Sequence, residues 1–397
     1  MYKLIEYLSR YNTIGIFGFG KEGRSFYDFA KKHIPKVDLV IIDQSNGENY
    51  LEDLAKVDLV VKSPGISLYN LNIKYEDYNF TSATELFLRF FKNNIIGITG
   101  TKGKSTLATV LYNILKDQQK DTILCGNIGI PAFDIIDEIK KDTIVIMELS
   151  SHQLDHISYS PHIAVLTNIF KEHLDYYDSF QSYKDAKLNI LKFQNSDDIA
   201  IDLVNNKLGS LKYNYNFTIK QGFIHKTTLY ILEKLVDILH LDIEQYLTSI
   251  KKFKTLPHRL EYVQSNYDFH IINDSISTIP ESTIEAIKIL KDVDTILLGG
   301  YDRGVDYKYL VKFLIDSNIE NIILYSQTGK VIKELFQKYD SDMNFIYKEN
   351  IKDAILYGLK ITKPNKIFLF SPAASSFDSF KNFEQRGEFL KEIISNQ

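Results

Sequence analysis

The sequence predicts an α/β protein of three domains, and three observations carry this prediction. Short apolar runs alternate with glycine-containing turns and amphipathic helical segments. This alternation restarts twice along the chain, and 397 residues are enough for about two to four domains. Because alternating strands and helices form parallel sheets, we expect three such sheets, with domain boundaries near residues 91 and 258.

The first block of the chain reads as a βαβ unit. Its strands are expected at residues 14–17, 37–42 and 57–62, and its helix at residues 25–32. The first strand runs into the turn Gly18-Phe19-Gly20, and Ser63-Pro64-Gly65 ends the third.

The second and third blocks repeat this pattern. In the second block, strands are expected at residues 95–98, 143–147 and 162–166, and an amphipathic helix at residues 229–239. The segment Leu256-Pro257-His258-Arg259 is the predicted linker. In the third block, strands are expected at residues 269–272, 295–298, 321–325 and 366–370.

The composition excludes several classes of protein. A net charge of −4 argues against a general nucleic-acid-binding face. The single cysteine, Cys125, excludes an internal disulfide framework and a cysteine-rich zinc site. The absence of an apolar run of about 18 residues predicts no membrane span, and charged residues among the first eleven oppose a signal peptide. We therefore expect a soluble cytoplasmic protein.

Residues 97–106, GITGTKGKST, predict a phosphate-binding loop between a strand and a helix. Backbone N–H groups at such a turn point at phosphate oxygens. Lys104 would reach the β- and γ-phosphates, and a hydroxyl of Ser105 or Thr106 would hold Mg²⁺. Ile98 stands where a strict Walker motif has glycine, so the loop is a variant. Glu148, at the end of an apolar run, is the predicted acidic partner of the metal.

The N-terminal glycines supply a rival interpretation. Gly18-Phe19-Gly20-Lys21-Glu22-Gly23, followed by Asp43, is the dinucleotide-binding fingerprint. By itself the fingerprint predicts an NAD-dependent enzyme, but the same turn can bind any diphosphate. Nothing elsewhere in the chain indicates hydride transfer.

Several motifs, in chain order, resemble those of the Mur ligases of peptidoglycan synthesis. They are TGTKGKST at 99–106, GNIG at 126–129, ELSSHQL at 148–154, NIFKEHLD at 168–175 and LPHR at 256–259. SPAASSFD at 371–378 and KNFEQRG at 381–387 resemble the member that adds glutamate. The resemblance spans nearly the whole chain. It implies a Rossmann-like domain over 1–91 that binds a UDP-linked substrate, a P-loop ATPase-type domain over 92–258, and a Rossmann-like domain over 259–397 that binds the incoming amino acid.

The resemblance also implies a reaction. ATP would phosphorylate the carboxylate of UDP-N-acetylmuramoyl-L-alanine, and the amino group of D-glutamate would attack the acyl phosphate, leaving an amide, ADP and phosphate. ATP and Mg²⁺ would be the cofactors. The partners would be these small molecules alone, with no nucleic acid and no membrane span, and the chain would act as a cytoplasmic monomer.

The family's functional residues fall on matching positions. The resemblance implies that Lys104, Glu148, His173 and Lys187 are catalytic. The implied metal ligands are Ser105, Glu148, His173 and a carbamylated Lys187. The implied ATP contacts are Gly100, Thr101, Lys102, Gly103, Lys104, Ser105, Thr106, His258, Arg259 and Asp274. The implied UDP-substrate contacts are Gly18, Phe19, Gly20, Lys21, Asp43, Ser63, Pro64, Gly65, Asn127, Ser150 and Gln153. The implied glutamate contacts are Thr278, Arg303, Ser376 and Phe383.

Departures from the family pattern concentrate in the predicted amino-acid site. Ile276 and Ile279 stand where the glutamate-adding ligases have Lys and Asn, and Arg303 stands where they have Lys. Loss of an ammonium removes a partner for a carboxylate of the incoming glutamate, while an arginine changes the geometry. The same reaction with L-glutamate is therefore an alternative.

Two further alternatives remain open. One is a ligase that resembles folylpolyglutamate synthetases, against which the run 381–387 argues. The other is a non-catalytic nucleotide-binding relative, against which the joint presence of Lys104, Glu148, His173 and Lys187 argues.

Overall fold

A computed structural model describes residues 1–173, 176–218, 222–339 and 344–396. The chain forms two compact units, Met1–Tyr213 with Lys226–Lys251, and Asn214–His225 with Lys252–Gln397. The first unit contains two parallel sheets and the second contains one mixed sheet. Helices alternate with strands along most of the chain, so the predicted α/β class is confirmed.

The first sheet has four parallel strands in the order β2-β1-β3-β4. The strands are β1 (Thr13–Phe17), β2 (Asp38–Ile42), β3 (Leu59–Lys62) and β4 (Phe80–Thr81). The helices are α1 (Tyr2–Leu8), α2 (Lys21–His33), α3 (Leu68–Leu71) and α4 (Ala83–Phe91). Short 3-10 helices cover Gln44–Asn46, Tyr50–Lys56, Tyr75–Asp77 and Lys92–Asn94. Apolar clusters cover this sheet on both faces, as parallel sheets require.

The second sheet has five parallel strands in the order β6-β7-β5-β8-β9. They are β5 (Ile95–Thr99), β6 (Thr122–Gly126), β7 (Ile144–Glu148), β8 (Ile163–Leu166) and β9 (Ile199–Asp202). The helices are α5 (Lys104–Asp117), α6 (Ser151–Leu154), α7 (Phe180–Lys192), α8 (Lys226–Ile238) and α9 (Ile243–Lys252), with a 3-10 helix at Ala132–Glu138. Every residue of β5 is buried, which places the strand before the phosphate loop at the centre of the sheet.

The sheet of the second unit has the order β10-β11-β15-β12-β13-β14, and only β10 runs antiparallel to its neighbour. The strands are β10 (Glu261–Val263), β11 (His270–Asn273), β12 (Val293–Gly299), β13 (Asn321–Tyr325), β14 (Phe345–Lys348) and β15 (Ile367–Phe370). The helices are α10 (Pro280–Leu290), α11 (Lys308–Ile315), α12 (Ser326–Lys338), α13 (Ile351–Ile361) and α14 (Phe383–Ser395).

The predicted functional residues follow the carboxyl ends of parallel strands, where open α/β sheets bind ligands. Most of them follow β1, β2 and β3 in the first sheet, β5, β6, β7 and β8 in the second, and β11, β12 and β15 in the third, whereas Lys187 lies on α7, and His258 and Arg259 precede β10. Across the described ranges, no helix is long and apolar enough to cross a bilayer.

Candidate functional site

The loop after β5 has the backbone of a phosphate-binding turn. Gly100 and Gly103 have φ values of 151° and 86°, a region that side chains other than glycine rarely adopt. A Cβ on Gly100 would lie 1.9 Å from Thr167 Oγ1, so only glycine fits there. Gly103 is the N-cap of α5, which begins at Lys104. The N–H groups of the first helical turn therefore follow the loop directly, as the sequence predicts.

The same loop is tied to the segment that follows β8. The Lys102 N–H donates to Asn168 Oδ1 at 2.9 Å, and Asn168 Nδ2 donates back to Lys102 O at 3.0 Å. Thr101 Oγ1 accepts from Phe170 N at 2.9 Å and lies 2.7 Å from the hydroxyl of Tyr183 on α7. The loop is therefore held before any phosphate binds, which reduces the ordering cost of binding.

The side chain of Lys104 extends over this loop. Its Nζ donates to Gly100 O at 2.9 Å and to Thr101 O at 3.1 Å. A phosphate at the helix N-terminus would be a stronger, charged partner for the ammonium than these two carbonyl oxygens.

Glu148 ends β7 beside this loop and is 1% exposed. Asn127 Nδ2 donates to Glu148 Oε1 at 2.7 Å, while Oε2 has no hydrogen-bond partner. A Cβ on Gly126 would lie 2.3 Å from Glu148 O, so this glycine permits the close approach of the two segments. A buried carboxylate oxygen without a donor fits a cation ligand.

Lys187 lies on α7 and is 2% exposed. Its Nζ donates to Gly100 O at 3.0 Å and lies 5.0 Å from the ring centroid of Tyr183. Burial, with the nearby charge of Lys104, lowers the pKa of Lys187 well below its usual value, although Glu172 and Glu148 oppose this. The structure therefore brings the amine of Lys187 to the phosphate loop in an environment that favours its neutral form.

Glu172 and His173 follow β8, which pairs with β5 on the side opposite β7. Glu172 forms an ion pair of 3.0 Å with Lys102; burial raises its pKa, but the charge and hydrogen bond of Lys102 outweigh this and lower it overall. His173 has a positive φ of 58°, and its ring lies 4.8 Å from that of His152. Leu174 and Asp175, which end this predicted motif, lie outside the described residues.

Within the described ranges, no group of three His, Cys, Asp or Glu side chains is arranged to hold a metal ion. This does not conflict with the predicted Mg²⁺, because magnesium commonly binds one or two carboxylates together with substrate phosphates and water. At this loop, Glu148 Oε2 and the hydroxyl of Ser105 or Thr106, at the start of α5, are oxygen atoms that could bind the ion.

The glycine-rich turn after β1 is built around the Asp43 carboxylate. Asp43 Oδ2 accepts from Phe19 N at 2.8 Å, and Oδ1 accepts from Ser45 N and Oγ. These hydrogen bonds, led by that of Phe19, lower the pKa of Asp43. The Asp43 carboxylate therefore holds the turn after β1 through Phe19 and the turn after β2 through Ser45.

The turn after β3 lies against the first one. Ser63 Oγ donates to Gly18 O at 2.5 Å, and Ile66 N donates to Ser63 O to close the turn that contains Pro64 and Gly65. The structure thus brings together the predicted UDP-substrate contacts of β1 and β3. Gly20 is the N-cap of α2, and the exposed Lys21 is its first residue.

The remaining predicted UDP contacts follow β6 and β7 of the second sheet, and one of them, Gln153, contacts helix α2. Ser150 and Gln153 form a capping box at the start of α6. Gln153 Nε2 donates to Glu22 Oε1 at 2.6 Å, so α6 contacts the start of α2. Burial raises the pKa of Glu22 to about 7, against the hydrogen bond from Gln153, which lowers it.

In the second unit, His258 packs against Gly387 of the last motif. A Cβ on Gly387 would lie 2.2 Å from His258 Nδ1, and Asn273 Nδ2 lies 3.0 Å from the same nitrogen. His258 Nε2 lies 3.3 Å from Glu388 Oε1, but burial lowers the pKa of the imidazole. Two motifs that are distant in the sequence therefore form one contact.

Asp274 and Arg386 organise the carboxyl ends of β11 and β15. Asp274 accepts hydrogen bonds from Leu260 N, Ser277 Oγ and Ser371 Oγ. The Arg386 guanidinium, 0% exposed, donates to backbone or side-chain oxygens of Ser275, Ala374 and Ser375. Burial raises the pKa of Asp274 to about 6, against its three hydrogen bonds and the charge of Arg259, which lower it.

Several of the predicted glutamate contacts lie on segments that are hydrogen-bonded to these buried residues or adjoin them. Ser376 is 2% exposed, and the Phe383 carbonyl accepts from Ser275 Oγ. Tyr301 N, two residues before the exposed Arg303, donates to Ser375 O, in the segment that follows β15. Thr278, Ile276 and Ile279 are all partly buried.

Sequence reasoning missed several residues of these sites. Lys62, Tyr176 and Tyr183 are buried and contact predicted site segments, but the contact of Lys62 with Tyr176 and that of Tyr183 with Thr101 join residues 114 and 82 positions apart in the sequence. Only Lys62, a lysine directly before Ser63-Pro64-Gly65 in an apolar strand, carried a signal that could have been noticed.

These features define a P-loop nucleotide-binding α/β protein. Residues 98–234 match the Mur ligase middle domain. The UDP-N-acetylmuramoylalanine–D-glutamate ligase of Clostridium tetani is 32% identical over 99% of this chain and 94% of its own length. The chain therefore belongs to the Mur ligase family, which confirms the resemblance of its motifs.

Other known proteins agree with this assignment. The UDP-N-acetylmuramoylalanine–D-glutamate ligase of Borreliella burgdorferi is 31% identical over 88% of this chain and 85% of its own length. The crystal structure of the MurF ligase of Thermotoga maritima in complex with ADP has a TM-score of 0.59 at 15% identity, covering 96% of this chain and 95% of that one. At this identity the structural match shows the fold alone.

Proposed function

We propose that the chain joins glutamate to UDP-N-acetylmuramoyl-L-alanine, with ATP cleaved to ADP and phosphate, in the synthesis of peptidoglycan precursors. The names of its relatives support the substrates and the D configuration of glutamate. The single observation that carries the chemistry is the phosphate loop, with Lys104, Glu148 and Lys187 brought to one place.

The proposed chemistry makes a carboxylate reactive. The γ-phosphoryl group of ATP passes to a carboxylate oxygen of the L-alanyl residue, which converts that oxygen into a leaving group. The amino group of glutamate then attacks the acyl carbon and loses a proton, and the C–O bond to phosphate breaks. Lys104 and the N–H groups of the loop would stabilise charge on the phosphoryl oxygens during the first step.

Mg²⁺ fits this site because Glu148 Oε2 is buried without a donor. We propose Ser105 and Glu148 as its ligands, with His173 and a carbamylated Lys187 holding a second ion. The metal would neutralise charge on the phosphate oxygens. The chain's own contribution is orientation, since Asn127 fixes one oxygen of Glu148 and Gly126 lets the two segments approach.

Carbamylation of Lys187 rests on the state of its amine. CO₂ adds only to a neutral amine, and burial together with Lys104 lowers the pKa of Lys187. Lys187→Ala should abolish activity, with partial rescue by a short-chain carboxylate. Lys192→Ala, an exposed lysine of the same helix, is the matched control. Near-normal activity of unrescued Lys187→Ala would exclude the carbamate.

The UDP moiety is proposed to bind the paired turns after β1 and β3. Support comes from the hydrogen bond that joins Ser63 to Gly18 and from the exposed Lys21 at the start of α2. The ranges 1–91, 92–258 and 259–397 are our proposed domain limits. Since the reaction uses ATP and a UDP-linked sugar, we place it in the cytoplasm.

L-glutamate is the second candidate acceptor, favoured by Ile276 and Ile279 where the family pattern has Lys and Asn. Under this proposal Arg303 is the remaining cation for a glutamate carboxylate. Arg303→Met should raise the KM for glutamate about tenfold or more. Lys308→Met, which removes an exposed cation of the same unit, should not.

Phosphate release from ATP, measured with UDP-N-acetylmuramoyl-L-alanine and either D- or L-glutamate, tests the proposal. Release with D-glutamate is expected. Release with L-glutamate alone would keep the mechanism and reverse the stereochemistry, whereas release with neither would refute the function. Lys104→Met should abolish the signal, and Lys116→Met, at the far end of the same helix, should retain it.

A further inference from the structure

Lys62 is a buried lysine that the proposed chemistry does not use. It is the last residue of β3 and is 3% exposed, which is rare for lysine. Its Nζ donates to Ile66 O at 2.9 Å, to Tyr176 OH at 3.3 Å and to Ser63 O at 3.4 Å. The ammonium therefore binds both ends of the turn 63–66 and one residue of a distant segment.

Tyr176 completes this arrangement from the other side. Its hydroxyl donates to Ile66 O at 2.9 Å, and its carbonyl accepts from Ser67 Oγ at 2.7 Å. Its own N–H donates to His173 O at 3.1 Å. One hydrogen-bonded block thus contains the turn proposed to bind the UDP substrate and the backbone of His173, a proposed metal ligand.

The charge of Lys62 has nearby counterparts. Burial lowers the pKa of Lys62 to about 8, against the charges of the Asp155 and Glu22 carboxyl groups, which raise it. Asp155 Oδ2 is itself buried without a hydrogen-bond partner. The strand end therefore holds an ammonium whose direct hydrogen bonds all go to neutral oxygens of the turn and of Tyr176.

We infer that Lys62 is a positioning residue that holds the UDP-substrate turn and the His173 segment in one fixed relation. This inference rests on the proposed function for the identity of the two sites, but its structural content does not depend on it. At equal distance, hydrogen bonds from a charged donor are stronger than neutral ones, so the ammonium adds to the neutral hydrogen bonds by which Ser67 and Ile66 already hold Tyr176.

The first test measures hydrogen exchange of the full-length protein without ligands. Lys62→Met should accelerate exchange in peptides that contain residues 65–67 and also in peptides that contain Tyr176 and Tyr177. Lys56→Met, which removes an exposed lysine of the same domain, should change neither. Acceleration in one segment only, or in neither, would overturn the inference.

A second variant keeps the test decisive if Lys62→Met does not fold. Tyr176→Phe removes only the hydroxyl that Lys62 and Ile66 share, and it should accelerate exchange in the same two segments. Acceleration only in peptides around Tyr176, and not in peptides that contain residues 65–67, would overturn the inference as well.

Kinetics separate positioning from a general loss of structure. In Lys62→Met, the KM for UDP-N-acetylmuramoyl-L-alanine and the Mg²⁺ concentration for half-activation should both rise about tenfold, with the KM for glutamate unchanged. A fall in kcat alone, with both of these constants unchanged, would contradict coupling. If the wild-type protein releases no phosphate, the proposed function fails, while the exchange experiment still decides the role of Lys62.

Discussion

Asp274→Asn probes the buried carboxyl at the end of β11. Asp274 is 3% exposed and accepts hydrogen bonds from Leu260 N at 3.2 Å, Ser277 Oγ at 2.5 Å and Ser371 Oγ at 2.8 Å. Burial raises its pKa to about 6, even though the three donors lower it. Ionisation of this carboxyl therefore costs free energy in the folded protein.

The size of this effect follows from the two pKa values. Below pH 3.8 the carboxyl is protonated in both the folded and the unfolded chain. Between pH 3.8 and about 6 the unfolded chain loses the proton first, so the free energy of unfolding falls as the pH rises. At about 1.4 kcal/mol per pH unit, the loss above pH 6 is roughly 3 kcal/mol. Asparagine is neutral throughout and removes this loss.

The asparagine must also fit the existing hydrogen bonds. Its carbonyl oxygen can accept from Leu260 N, which turns the NH₂ group toward two serine hydroxyls that can accept as well as donate. Rearrangement of these hydrogen bonds offsets part of the gain, so we expect Asp274→Asn to be about 1–3 kcal/mol more stable at pH 8.

Denaturant unfolding of the full-length protein from pH 4 to pH 8 measures this difference. The gain from Asp274→Asn should be largest at pH 7–8 and should vanish near pH 4. Stability is the readout because Asp274 is also a predicted ATP contact. A difference between variant and wild type that stays constant with pH, or a loss that grows as the pH rises, would refute the reasoning.

Three further substitutions have expected effects on stability. Gly100→Ala places a Cβ 1.9 Å from Thr167 Oγ1 at a φ of 151°, and should lower the free energy of unfolding by roughly 2–3 kcal/mol in denaturant titrations; wild-type stability would contradict the steric argument. Arg386→Met leaves several buried oxygens without a donor and should cost about 3–5 kcal/mol by the same measurement, so a loss below about 1 kcal/mol would show that these oxygens find other donors. Tyr183→Phe loses a hydroxyl contact with Thr101 and should cost about 1 kcal/mol and raise the KM for ATP; an unchanged KM would separate this contact from nucleotide binding.

Strands formed by continuous apolar runs were predictable to within two residues. β13 begins and ends at the predicted residues, 321 and 325, and β5 extends the predicted strand 95–98 by one residue. Short or partly exposed strands such as β4 and β9 were not predicted, because their few residues show no clear hydrophobic periodicity. Helix α2 begins at Lys21, four residues before its predicted start, because Gly23 was assigned to the turn.

Gly23 shows why a glycine in a helix can be misread. A Cβ there would lie 2.2 Å from Gly18 O, so the residue is glycine because the helix packs against the turn. The sequence shows the glycine but not the packing that requires it. By contrast, the phosphate loop could be predicted from a local motif, because its consecutive residues supply both the backbone geometry and the functional groups.

Long-range pairs were beyond the reach of the sequence. Lys62 and Tyr176 are 114 residues apart, and nothing in either segment specifies the other. The contact of His258 with Gly387 has the same character, because both motifs were recognised but their proximity was not. Such pairs depend on how whole sheets and loops pack, which a periodic pattern does not encode.

Asn127 links the proposed UDP-substrate site to Glu148, a proposed metal ligand. It was predicted as a contact of the UDP substrate, yet its amide donates to Glu148 Oε1 at 2.7 Å while Glu148 Oε2 stays without a donor. The Asn127 N–H also donates to Glu148 O at 2.9 Å, so backbone and side chain hold the same residue. A substrate that drew the amide of Asn127 away would leave both oxygens of a buried carboxylate without donors, a state that a bound cation would stabilise. Substrate binding and metal binding should therefore favour each other through this one amide.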